Sequence, residues 1–437
     1  RMKELELDAF RAVATSAIRE AENGQELVDR LKDETGIELE MISGSEEARL
    51  VHLAVASRVD LTGGQWILTD LGGGSVEVSL VDDMGMLWSE SHTMGSVRIL
   101  EELSETEADP SGFQRLLSDY VSTLRIPSPV QYWSPAGFVA TGGNIEALAN
   151  LAGTPQNPLG VARLPAADLR SAIDLLSHLS YHERITQLGL REDRADVILP
   201  AAMVYHHLAR LASAEEILVP GVGVKEGILL DLVDELVSHT THEVRKEQQL
   251  TKAAISFGRR FMFDETHGLH VARLALSIFD QTHNPHDPRF VDRRILLAAS
   301  MLHDIGAFVG HKKHHKHSLY LISHSELPGF SQNEMLMVAN IARYHRKNIP
   351  LDRHADFMRL SEKDRERTTV LSAILRVASA LDRAHLQSVK NVRVTVGKKE
   401  ISLQLEGEGH LLLERWAVSR KTALFAKAFG RTVSISA

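Results

Sequence analysis

Carboxylates set beside a run of glycines give this chain its first chemical signal. In "TDLGGGSVEVSL", Asp70 closes an apolar run, Gly72, Gly73 and Gly74 follow, then Ser75, and Glu77 enters a pattern of alternating polarity. Consecutive glycines let backbone N–H groups turn into one concavity that suits an anion such as phosphate, and Ser75 adds a hydroxyl donor. A carboxylate beside a phosphate repels it unless a divalent cation lies between, so Asp70 and Glu77 are candidate Mg²⁺ ligands, directly or through water. A glycine-rich hairpin with solvated carboxylates has the same local pattern. Just upstream, "MISGSEEARL" puts Glu46 and Glu47 in the first turn of a helix with Ser45 placed as its cap. Acids there complement the helix dipole, or one of them acts as a general base on water.

Histidine supplies the second signal, with 22 residues, four of them in "HKKHHKHS" at 311–318. "LLAASMLHDIG" is an apolar helix ending in His303-Asp304, a pair able to reach one metal. His267 in "ETHGLHVARLAL" lies on an earlier helix. Asp382 in "ILRVASALDRAH" follows the core-facing Ile374, Leu375, Ala378 and Leu381, which turn it toward the bundle. A buried lone carboxylate is costly, and a metal would relieve it. This H…HD…D order resembles the HD-domain phosphohydrolases. That resemblance implies a metal site of His267, His303, Asp304 and Asp382, joined by His317 and His345 as the extra ligands of two-metal members. Nitrogen and oxygen ligands without thiolate suit Mn²⁺, Fe²⁺, Mg²⁺ or Zn²⁺. The alternative is a basic lining for a polyanion, made of His311, Lys312, Lys313, His314, His315, Lys316, Arg346 and Lys347. His52, His270 and His385 read as packing or surface.

The elements that position these groups are strands and helices in alternation. "FRAVATSAIREAENG" predicts a strand at 10–14, a turn at Thr15-Ser16 and a helix to about residue 24. "QELVDRLKDETG" predicts an amphipathic helix stopped by Gly36, and "IELEMIS" a strand. Strands follow at 66–71, 75–81 and 86–93, and "FVATGGNIEALAN" repeats the strand–glycine–helix plan. Residues 166–240 are mostly helical, broken by "ILVPGVGVKEGILL". Long helices run from 249 to about 388, and the tail reads as a hairpin, a helix and a last strand. The 437 residues therefore divide at 1–48, 49–240, 241–388 and 389–437. With no cysteine and no apolar run of membrane length, the composition suits a reducing cytoplasm and offers neither disulfides nor a transmembrane helix. A net charge of −9 argues against a general nucleic-acid binder.

"VATSAIREAENG", "MISGSEEARL", "TDLGGGSVEVSL", "MGSVRILEE", "VATGGNIEALA" and "REDRADVILPAA" occur in this order. Together they resemble the exopolyphosphatase / guanosine pentaphosphate phosphohydrolase family, closely over residues 10–240. The resemblance implies an α/β, actin-like (ribonuclease H-like) phosphatase core, followed by an all-α HD-type domain and a small α+β C-terminal domain. It assigns Glu47 as the base for the attacking water, and Asp70 and Glu77 to Mg²⁺ and catalysis. It assigns residues 72–75 to the phosphate loop, and Arg19, Gly142, Gly143 and Asn144 to the cleft. The substrate would be inorganic polyphosphate or guanosine pentaphosphate, the binding partner polyphosphate or guanosine penta- or tetraphosphate, and the assembly a homodimer. Two departures stand out. No D-x-G-S-N-S-type loop precedes Ala12, as expected of a chain beginning inside the first subdomain. Lys225 also stands where the family usually has Arg. A missing partner loop keeps open a non-catalytic polyphosphate or alarmone binder. The histidines keep open a phosphohydrolase active in the helical domain.

Overall fold

The computed structural model describes residue 7 and residues 9–104, 110–126, 135–237, 239–283, 290–346 and 348–436; Lys347 of the proposed basic lining lies outside them. The chain forms two compact units, Arg1–Arg245 and Lys246–Ala437. No helix among the described residues is long and apolar enough to cross a membrane.

The first unit opens with β1 (Ala12–Ala14) and β2 (Leu39–Met41), paired in parallel. The expected helix to residue 24 is instead a single turn, Ser16–Arg19, followed by a bend and the helix Gly24–Thr35. The chain doubles back there so tightly that a Cβ on Gly24 would sit 2.1 Å from the Ile18 carbonyl oxygen. Gly36 ends the second helix at φ 73°, the left-handed position glycine favours. A six-stranded sheet follows, built from β3 (Gln65–Leu71), β4 (Val76–Asp82), β5 (Gly85–His92), β6 (Pro135–Thr141), β7 (Ala162–Pro165) and β8 (Glu216–Val219). Their order is β5-β4-β3-β6-β8-β7. The β3–β4–β5 meander is antiparallel, β6 and β8 run parallel to β3, and β7 closes the edge antiparallel.

Alternation along β3 divides two cores. Ile67 and Leu71 join Val76, Val78 and Leu80 under the helices Gly143–Ala152 and Ile198–Leu211. Leu68 joins Val81 and Val139 under the helix Gly44–Ala56, which contributes Ala48, Val51, Ala54 and Val55. Side chains two apart share a face, so Asp70 lies on the Leu68 face, the side covered by the helix that begins with Glu46 and Glu47.

In the second unit the helices Glu265–Thr282, Phe290–Leu302, His314–Ser323, Gln332–Arg343 and Glu362–Leu381 surround one apolar core. Strands β9 (Val389–Val396), β10 (Glu400–Gly407) and β11 (Thr432–Ser436) form a sheet in the order β11-β10-β9. The tail carries two helices, Leu412–Ser419 and Thr422–Phe429, rather than the single one expected. It is not a separate domain: Val389, Val392, Ile401, Leu403 and Phe425 belong to the same core as the helices. The Gln281 amide fastens the two parts, donating to the Val392 carbonyl and accepting from the Val394 N–H, each at 2.8 Å.

Candidate active site

The helix Gly44–Ala56 is capped by Ser43 rather than Ser45; the Ser43 hydroxyl accepts from the Glu46 N–H at 3.2 Å. Its two first-turn acids have different surroundings. Glu46 receives both arms of Arg49 at 2.8 Å, and Arg49 in turn reaches Asp231 at 3.0 and 2.9 Å. Burial works to raise the Glu46 carboxyl, but Arg49 and Arg11 outweigh it and hold the group below the usual range. Glu47 has no such partner. It is 9% exposed, its Oε2 makes no hydrogen bond, and the nearest cation, Arg19 Nη1, is 3.7 Å away. Arg19 spends its hydrogen bond on the Ile42 carbonyl at 2.7 Å. Burial, followed by the charges of Glu77 and Asp70, pushes the Glu47 carboxyl up to about 8.

Asp70 and Glu77 are register partners across the β3–β4 hairpin, and Thr141 is the partner of Asp70 across β3–β6. Directly opposed residues share a face, so the sheet brings the three together. Thr141 Oγ1 donates to Asp70 Oδ1 at 2.8 Å. Ser75 and Ser91 donate to Glu77 Oε1 at 2.6 and 2.9 Å, leaving Oε2 to face elsewhere. Burial raises the Asp70 carboxyl against its Thr141 bond. Glu77 is pushed up to about 7, chiefly by burial, against its bond from Ser75 and with the charge of Asp70 added. The buried Glu47 and Glu77 carboxyls and the half-buried Asp70, all short of cations, form an oxygen-only donor set that fits a hard divalent ion. Among the described residues their oxygens do not gather as a converged group of three. A hard divalent ion held here would keep waters and take one or two carboxylates together with a phosphate oxygen.

The glycine loop presents its carbonyls to one side. Gly72 O accepts from Ser96 N at 3.0 Å, Gly73 O from Val97 N and Arg98 N at 3.0 and 3.1 Å, and Gly74 O from Arg98 Nε at 2.9 Å. The N–H groups of Gly73, Gly74 and Ser75 have no acceptor among the described residues, the arrangement an anion nest requires. The docking of helix Ser96–Ser104 depends on Gly95, where a Cβ would lie 2.2 Å from Gly73 O. Gly142, at φ 104°, passes close to β3; a Cβ there would meet Leu71 O at 2.9 Å. A Cβ on Gly143 would meet Arg194 Nη2 at 2.7 Å. Asn144 is buried, donates to Ser96 Oγ at 3.1 Å and accepts from Arg194 at 3.4 Å. Two expectations change here. The Ser75 hydroxyl is committed to Glu77, so Ser75 offers a phosphate only its N–H. Asn144 braces two helices instead of pointing a free amide at a ligand. Lys225 is exposed and pairs with Glu226 at 3.4 Å.

The second unit gathers a different set. Asp304 Oδ1 lies 3.0 Å from His314 Nε2 and 3.2 Å from His345 Nε2, and Oδ2 lies 3.6 Å from His303 Nε2 and 4.0 Å from His267 Nε2. Burial pushes the His303 imidazole down to about 3, so it is neutral, the form that binds a metal. His317 lies in neither of the groups able to hold a metal; His314, one turn earlier, is there instead. Asp382 stands behind His267: its Oδ2 accepts from His267 Nδ1 at 2.8 Å and its Oδ1 from the Gln387 N–H at 2.8 Å. His385, read from sequence as packing or surface, stacks on His267 at 3.6 Å and belongs with His267 and Asp304.

With both sites described, comparison with known proteins is decisive for the family. The model for the Ppx/GppA phosphatase family matches residues 1–236, and that for domain III of the same family matches residues 251–419. The chain belongs to the Ppx/GppA phosphatase family. Among its relatives is the guanosine-5'-triphosphate,3'-diphosphate pyrophosphatase of Vibrio vulnificus, 25% identical over 353 residues, which cover 80% of this chain and 68% of that protein. Another is exopolyphosphatase 1 of Mycobacterium tuberculosis, 34% identical over 231 residues, 51% of this chain and 67% of that one. A solved exopolyphosphatase from Cytophaga hutchinsonii aligns with a TM-score of 0.49 at 26% identity, over 53% of this chain and 77% of the other.

In this Ppx/GppA chain several site residues escaped sequence reasoning. Gly95 and Arg98 sit inside "MGSVRILEE", and Thr141 inside "VATGG", so the motifs contained them without disclosing their partners. Ser91 had only a register signal, since it falls opposite Glu77 once β4 pairs with β5. The Arg49–Asp231 pair spans 182 positions and left no local trace.

Proposed function

We propose that the first unit hydrolyses a terminal phosphoanhydride, releasing phosphate from inorganic polyphosphate or from guanosine pentaphosphate, with Mg²⁺ as cofactor. The observation that carries this reading is Glu47, a buried carboxyl with an unpartnered oxygen, coupled in charge to Asp70 and Glu77. The unsatisfied N–H groups of the neighbouring glycine loop add a phosphate seat. The names of the relatives from Vibrio vulnificus and Mycobacterium tuberculosis support the two substrates.

In this mechanism the N–H groups of Gly73, Gly74 and Ser75 hold the oxygens of the terminal phosphoryl group. Thr141 fixes Asp70, and Ser75 with Ser91 fixes Glu77, so both carboxylates keep one orientation. When bound, Mg²⁺ neutralises charge on the phosphoryl oxygens and on these carboxylates. Glu47 Oε2 takes one proton from a water as its oxygen bonds to the terminal phosphorus and the bridging P–O bond breaks. Orthophosphate leaves, with the shortened anhydride as leaving group. A base whose pKa lies near the working pH is efficient in this role. Such transfer needs alignment and charge neutralisation more than covalent help. We further assign the protein to the cytoplasm and to a homodimer, which light scattering tests.

The test is phosphate release measured with each substrate. Glu47→Gln should lower kcat by about 10²- to 10⁴-fold, the usual contribution of a positioned general base, with the fold retained by circular dichroism. Undiminished turnover in that variant overturns the assignment.

A further inference from the structure

We propose that Ser16 is a further phosphate-binding residue of the first unit, its hydroxyl donating to the terminal phosphoryl group seated on the N–H groups of Gly73, Gly74 and Ser75. Glu20 and Arg98 hold it in place. The proposal rests on the hydrolytic reading of that unit and adds a residue to it.

The glycine loop needs a hydroxyl from elsewhere. A phosphoryl group offers several acceptor oxygens, and the hydroxyl nearest in sequence, that of Ser75, is spent on Glu77 at 2.6 Å. Ser16 brings another to the same place from a distant part of the chain. Its Oγ rests against Gly74, so closely that a Cβ on Gly74 would stand 2.9 Å from it. Glycine at 74 is therefore what lets the two segments meet. Gly74 is also the residue whose own N–H, and whose successor's, are open. The Ser16 hydroxyl makes no hydrogen bond among the described residues, and the residue is half-buried. A serine hydroxyl carries one donor proton, and this one is uncommitted.

The backbone beneath Ser16 is fixed from both sides. Strand β1 ends at Ala14, whose carbonyl accepts from the Ile42 N–H at 3.0 Å. The helical turn Ser16–Arg19 follows, and residues three apart on a turn lie on one side. Arg19 on that side reaches the carboxyl group of Glu47, with Nη1 3.7 Å from Oε2. Burial raises Glu47 and Glu77, and the charge of Arg19 works against the rise in both, so this side of the turn faces the site. The Glu20 N–H closes the turn on the Ser16 carbonyl at 2.9 Å. The Glu20 carboxylate accepts from Arg98 Nη2 at 2.6 Å, and Arg98 Nε donates to the Gly74 carbonyl at 2.9 Å. One planar guanidinium thus ties the turn that bears Ser16 to the glycine that Ser16 touches. Glu20 and Arg98 are positioning residues, acting on the phosphoryl group through Ser16 and the loop.

The test uses the full chain in Mg²⁺, with inorganic phosphate as the binding probe in calorimetry and phosphate release from polyphosphate and guanosine pentaphosphate as the kinetic readout. Ser16→Ala should bind inorganic phosphate about 10- to 100-fold more weakly, the worth of one hydrogen bond to a charged group. KM should rise by a similar factor with kcat nearly unchanged, because the contact exists before and during the reaction. The melting temperature should match the wild type, since the hydroxyl braces nothing in the protein. Ser16→Thr keeps the hydroxyl and should keep most of the affinity. Glu20→Gln should raise KM by up to about 5-fold, as loss of a half-exposed ion pair allows, and should add nothing in the Ser16→Ala background. Phosphate affinity unchanged in Ser16→Ala, or equal losses in Ser16→Ala and Ser16→Thr, overturns the role of Ser16. Additive effects of Glu20→Gln and Ser16→Ala overturn the positioning role. A wild type that binds phosphate through Ser16 but releases none from either substrate refutes the hydrolytic reading and leaves the Ser16 contact standing. A wild type that binds no inorganic phosphate overturns the phosphate seat, Ser16 included.

Discussion

Glu46 and Glu47 are neighbours at one helix start, yet the fold gives them opposite tasks. Glu46 is one corner of a buried charge network with Arg49 and Asp231. Glu46→Gln leaves Arg49 held by Asp231 but removes its two charged hydrogen bonds to Glu46, so it should destabilise the protein by about 2 kcal/mol, read from urea unfolding. Glu47→Gln should act the other way. The folded-state pKa of Glu47 lies near 8 and that of Glu77 near 7, both above the unfolded value. The folded protein therefore holds protons that the unfolded chain has released. In metal-free protein, stability should be fullest below about pH 4.5 as far as these groups are concerned, and should fall as pH rises to about 8. Glu47→Gln flattens that fall, and its melting temperature in chelator at pH 8 should exceed that of the wild type. A wild-type curve without such a decline would mean that the carboxyls are compensated in solution.

At the scale of elements, the loop is shaped by the helix that grips it. Gly95 lets the first turn of Ser96–Ser104 approach the carbonyls of residues 72–74, and this turns the opposite N–H groups outward. Gly95→Ala should push the helix away and lower phosphate release at least as much as it lowers stability. Gly36→Ala makes a useful contrast. No atom lies within 4 Å of its added methyl, but its left-handed φ of 73° makes alanine strained there. That substitution should cost about 1 kcal/mol of stability and leave kcat unchanged. Ser43 works at the same scale: its cap sets where the helix begins, and so where Glu47 points. Ser43→Ala should cost about 1 kcal/mol in unfolding experiments.

Across the whole molecule, the two units have separate apolar cores and different site chemistry, carboxylates with open N–H groups in one and imidazoles with guanidinium groups in the other. Leu274→Ala, at a fully buried position of the second core, should cost about 2 to 5 kcal/mol in calorimetry. At permissive temperature it should leave the catalytic constant for phosphate release intact. The sequence by itself determined the strand order along the chain, the glycine loop with its flanking acids, and the family, because these reside in local pattern and short motifs. It also marked His267, His303, Asp304 and His345, since a His-Asp pair ending an apolar helix is visible without a fold. The family resemblance already singled out Glu47, and the tertiary structure supplied the physical difference from Glu46, because the arginine that neutralises Glu46 is completed by Asp231, far along the chain. Only the folded structure turned the Ser75 hydroxyl onto Glu77, merged the tail with the helical core, and placed His314 rather than His317 over Asp304. On a helix, a step of three residues swings a side chain by a fraction of a turn. Which of two such histidines meets a distant carboxylate is fixed by how the helix packs, and packing is a property of contacts that sequence spacing does not record.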